Sequence, residues 1–216
     1  TTDGGYVHME SGSSSPLTGG AISFFTGYGS STSSGSLILS TVNSGTTGVS
    51  GVLTFTSGTT SHGTSGSFTM GTGTSTNGKG GDIILSVGDG SKRTGGDIVV
   101  SSGEISDKTG GSVSLSTGYG SASSSGYIIV QSQFAGTLGV SGKLSFTSGT
   151  TSNGASGSIG IESGNAVGGN GGNVLLSVGN TVTTDGGYIL IKAGQTSNIN
   201  KQGGSINIES GHGNGN

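Results

Sequence analysis

The chain has 216 residues, 50 of them Gly, with 27% apolar, 5% aromatic and 8% charged residues and a formal net charge of -3. So small an apolar share excludes an ordinary globule with one large core, and so low a charge separates the chain from the highly charged disordered class. The weak acidity gives nucleic acid no basic patch to bind, and no apolar run approaches the ~20 residues of a membrane span.

There is no Cys, so disulfide and thiolate chemistry are absent. No Asn-X-Ser/Thr acceptor occurs, which leaves O-glycosylation as the open carbohydrate modification. The sequence starts at Thr1 and ends within a repeat pattern, and it reads as a segment of a longer or processed chain.

Taken in order, fourteen repeat units begin at Gly4, Gly19, Ser34, Ser50, Ser65, Gly80, Gly95, Gly110, Ser125, Ser141, Ser156, Gly171, Gly186 and Gly203. Most are fifteen residues long; those from Ser34 and Ser125 have one extra residue and that from Gly186 has two. GGDIILSVGDGSKRT (80–94) followed by GGDIVVSSGEISDKT (95–109) shows the phrase most clearly. Two small residues open each unit, the fourth and sixth positions are apolar, the eighth is small, and Gly commonly stands at the ninth. The apolar pairs run from Val7/Met9 and Ile22/Phe24 through Ile83/Leu85 to Ile189/Ile191 and Ile206/Ile208.

A spacing of two is the strand period and puts both side chains on one face. The expectation is an all-β fold: a parallel β-solenoid, or β-helix, of about fourteen units stacked into one continuous domain over 1–216. The six polar residues closing each unit, such as Thr59–Thr64, would form the return leg. A flexible Gly/Ser linker is the plain alternative. It is set aside because a linker has no reason to hold apolar pairs in register through every unit.

A longer repeat is nested above the short one. TGYGS at 26–30 recurs at 117–121, FTSGTTS at 55–61 recurs at 146–152, and LSVG at 85–88 recurs at 176–179, each displaced by 91 residues, or six units. The two long repeats span about 19–109 and 110–202. The phrases SGxLxFTSGTTSxGxSGSI and GGDIILSVG resemble the Gly/Ser/Thr-rich repeats of large extracellular proteins of stramenopile algae and their relatives. That resemblance covers nearly the whole chain and brings no catalytic motif. It implies a secreted or cell-surface structural role, in a wall layer, an adhesive or a flagellar hair.

The fifth position should face away from the interior. It is apolar in six units, at Ile38, Ile84, Val99, Ile129, Leu175 and Leu190, and these match in pairs across the long repeat. Outward apolar residues at regular spacing point to contact patches for self-association or for other structural proteins. The blander reading is that this face covers the unit's own return leg.

Other chemistry is weakly supported. Asp82 and Asp97 occupy one position in successive units and would lie about 5 Å apart at strand spacing. Exposed acids relieved by Lys79, Lys92, Arg93 or Lys108 account for them without catalysis or cation binding. His8, His62 and His212 lack metal-ligand spacing. GGNGG at 168–172 precedes no helix or phosphate-loop Lys. A carbohydrate-cleaving β-helix needs long cleft-forming insertions, and these are missing. The chain is therefore read as no enzyme, with no cofactor and no metal.

Ice binding is the alternative, with ice or carbohydrate as the alternative ligand. Outward Thr rows would carry it, but only Thr54/Thr56 is a true Thr-X-Thr pair on that face. The expectation is an extracellular, fibre-forming structural protein that assembles end to end and laterally as a stiff rod.

Overall fold

The computed structural model describes residues 4–92 and 94–213. Arg93, named above as a partner for the exposed acids, lies outside the described residues. The chain divides into two units, Thr1–Ser102 and Gly103–Asn216.

The parallel β-solenoid is not formed. Among the described residues there is no strand and no helix, and residues twelve or more positions apart rarely approach one another. Stacked units would instead meet along their whole length at about 4.8 Å. No residue among those described is buried, so the expected apolar stack of fourth and sixth positions does not exist as a core. The accessible surface is 22038 Å². A folded monomer of this 20.6 kDa mass would expose roughly 8,900 Å² and its extended chain about 30,000 Å². By that measure most of the surface of an unfolded chain remains accessible.

The physical reason lies in what each unit offers. Two or three apolar side chains stand against a dozen Gly, Ser, Thr and other polar residues, and Gly loses more conformational freedom on ordering than any other residue. The fifteen-residue period instead organises the chain locally. In Thr1–Ser102, bends recur at 15–17, 30–32, 61–63, 76–78 and 91–92. In Gly103–Asn216 they recur at 106–108, 121–123, 152–154, 167–169 and 182–184. All begin at the twelfth position of a unit.

Across several of these bends, and across the turn at 199–200, the backbone closes on itself. The N–H of Gly20 donates to the carbonyl of Gly12 at 2.8 Å, and Gly35 to Gly27 at 3.2 Å. In the second half Gly111 donates to Gly103 at 3.0 Å, Gly126 to Gly118 at 3.3 Å and Gly204 to Gly194 at 2.9 Å. Each bond joins the second position of one unit to the ninth of the unit before. The Ser11 hydroxyl reinforces the first by donating to the Gly20 carbonyl at 2.9 Å. A folded domain makes about one hydrogen bond per residue, so these isolated closures define loops rather than a ladder.

The two sixteen-residue units turn differently. In VNSGTTGV (42–49) the Ser44 hydroxyl donates to the Gly48 carbonyl at 2.9 Å, inside a turn at 46–47. The equivalent residue of QFAGTLGV (133–140) is Ala135, which has no hydroxyl. There the turn covers 136–138 and Gly136 adopts φ 63°.

Gly63 closes its bend at φ 110° with nothing within 4 Å of an added Cβ. Gly63→Ala should therefore remodel the Ser61–Gly63 bend through backbone strain alone, at a cost of about 1 kcal/mol. Gly154→Ala, at the matching bend of the second long repeat and without a left-handed φ, should be close to neutral. Amide chemical shifts of residues 60–65 and 151–156 read both; equal shifts in the two variants would contradict the assignment.

Candidate assembly surface

The six fifth-position residues lie in separate repeat units. Ile38, Ile84 and Val99 fall in Thr1–Ser102, and Ile129, Leu175 and Leu190 in Gly103–Asn216. All six are exposed, and each is more exposed than the fourth-position residue beside it. Ile84 is 84% exposed against 48% for Ile83, and Leu175 is 85% exposed against 59% for Val174. The period-two alternation therefore survives as a difference in exposure although no strand forms. Because no coil forms among the described residues, no return leg lies against the fifth positions. They are not a uniquely open patch either, because the fourth- and sixth-position residues are exposed as well.

The less exposed positions show where neighbouring segments meet. Phe55, sixth in its unit, and Phe68, fourth in the next, bring their ring centroids to 6.3 Å at 33°. Val87 and Val178, at the eighth position, are 44% and 43% exposed, among the lowest values for large apolar residues. Each lies against the Gly that stands second in the following unit. A Cβ on Gly96 would meet Val87 Cγ1 at 2.9 Å, and one on Gly187 would meet Val178 Cγ1 at 2.8 Å. Where the eighth residue is Ser or Thr the same approach is looser, as with Gly20 and Ser11 Cβ at 3.2 Å or Gly66 and Ser57 Cβ at 3.5 Å.

This contact explains a regularity that sequence reasoning passed over. The opening pair is Gly-Gly or Ser-Gly, and its second residue is Gly in all fourteen units. The signal was available in the sequence; reading both positions simply as small residues hid it.

The charged groups make local pairs only. Lys79 Nζ lies 2.7 Å from Asp82 Oδ1, with both side chains mostly exposed. His8 Nε2 lies 3.2 Å from Glu10 Oε2, also at the surface. Exposed pairs of this kind contribute little to stability. The strand spacing that was to hold Asp82 beside Asp97 is absent, since the units do not stack. Among the described residues no three His, Cys, Asp or Glu side chains gather as a metal-binding group. No helix is long and apolar enough to cross a membrane among the described residues.

No family model, no curated protein and no solved structure matches the chain. The resemblance to stramenopile repeat proteins rests on the phrases quoted above.

Proposed function

We propose that the chain is a structural, fibre-forming protein of the cell exterior, built to associate with copies of itself or with other structural chains. One observation carries this reading: the apolar side chains recur in register through all fourteen units, yet among the described residues none is buried. Periodic apolar residues without an internal partner are supplied with one by a neighbouring chain.

The stiff rod expected from continuous hydrogen-bond ladders has no counterpart among the described residues. Association through many weakly apolar units supplies the cohesion instead. The extracellular setting follows the resemblance and is compatible with a sequence free of Cys.

Electron microscopy of concentrated protein tests the role. Filaments or sheets are the expected result. Monodisperse particles at every concentration, with thermal hysteresis in the same sample, would replace this reading with ice binding.

A further inference from the structure

The two long repeats differ in one systematic respect. With the 91-residue offset, Asp82 corresponds to Asn173, Asp89 to Asn180, Glu104 to Gln195 and Asp107 to Asn198. Four of the five carboxylates of the first repeat are thus replaced by the carboxamide of the same length, and the fifth, Asp97, corresponds to Tyr188. Lys79 corresponds to Asn170, while the apolar partners Ile84/Leu175 and Val99/Leu190 are kept. All of these side chains are exposed. The charges are concentrated accordingly: nine of the chain's seventeen charged residues lie between Lys79 and Lys108. The equivalent stretch of the second repeat, 170–199, holds only Asp185 and Lys192.

We propose that neighbouring copies associate in parallel with a stagger of one long repeat, so that residues 79–107 of one copy lie along residues 170–198 of the next. The inference rests on the self-association reading and adds the register. In a parallel pair without stagger, every carboxylate faces its own copy, and like charges directly opposite are unfavourable. The stagger keeps Ile84 beside Leu175 and Val99 beside Leu190. It also gives each of the four carboxylates a carboxamide whose N–H groups can donate to it, the stronger, charge-assisted kind of hydrogen bond. Such a contact joins two different surfaces, so it leaves a free first repeat at one end and a free second repeat at the other. Contacts of this head-to-tail kind extend into open filaments when their rotation does not close a ring.

Ser86 and Ser177 occupy equivalent outward positions beside these residues, and the chain has no Cys of its own. The test mixes Ser86→Cys protein with Ser177→Cys protein and treats the assembled sample with a short bismaleimide. Cross-links between 86 and 177 should exceed those between 86 and 86 by about tenfold or more, the preference that one charged hydrogen bond confers. Adding Asp82→Asn, Asp89→Asn, Glu104→Gln and Asp107→Asn to the Ser86→Cys chain should raise 86–86 cross-linking, because the charge penalty against zero stagger is gone. Assembly with no excess of 86–177 cross-links overturns the stagger and leaves self-association standing. A sample that sediments only as monomer and gives no cross-link overturns both.

Discussion

Ile84→Lys combined with Leu175→Lys should raise the concentration needed for assembly by about a hundredfold or more. Both side chains are more than four-fifths exposed in the single chain, at 84% and 85%, so nearly all of their apolar surface remains to be covered by a partner. Fully covering one such side chain is worth about 1.5–3 kcal/mol, and two give about 3–6 kcal/mol. At 1.4 kcal/mol per factor of ten, the lower end already reaches a hundredfold. The added ammonium groups oppose burial further. Because neither residue has an internal partner, the substituted chain should keep the local bends of the parent. The check is light scattering across a dilution series, with amide chemical shifts as the structural control. Unchanged assembly would remove the fifth positions from the interface.

The second large effect is expected at the closing contact of the repeat. Gly187→Ala places a methyl 2.8 Å from Val178 Cγ1, a separation real Cβ atoms do not tolerate. Val has few χ1 alternatives, so the side chain cannot simply swing aside. Because Val178 is only half-buried, the two segments can relieve the clash by moving apart, which breaks their contact. Nuclear Overhauser effects between the Val178 methyls and residue 187 should disappear in the variant. Val178→Ala made in the same chain should restore the approach of the two segments, since the crowding methyl is gone. Gly179→Ala, with nothing within 4 Å, is the control and should leave the contact intact. A Gly187→Ala chain that keeps the Val178 contact unshifted would show that the second-position Gly is not selected by this packing.

These two sites show what the sequence makes legible. The repeat boundaries, the matching of Ile84 with Leu175, and the greater exposure of the fifth position than the fourth could all be read from residue spacing. Spacing alone could not give the stacking of one unit on the next. That depends on whether two or three side chains per unit, such as Ile83, Leu85 and Val87, outweigh the entropy of a dozen Gly, Ser and Thr residues, and in the single chain they do not. The period written into the chain serves local closure, in which Gly187 meets Val178 and the Gly20 N–H reaches the Gly12 carbonyl. The six fifth-position apolar residues are picked out by their period alone. The invariant second Gly is visible in the sequence, but the Val178 contact that uses it depends on the bend at 182–184.

Sedimentation velocity over a wide range of concentration tests the central claim most directly, that the apolar positions stay uncovered until copies of the chain join. The expected result is a monomer at low concentration that gives way to an open series of larger species as concentration rises. A single monomeric species at every concentration would contradict the account.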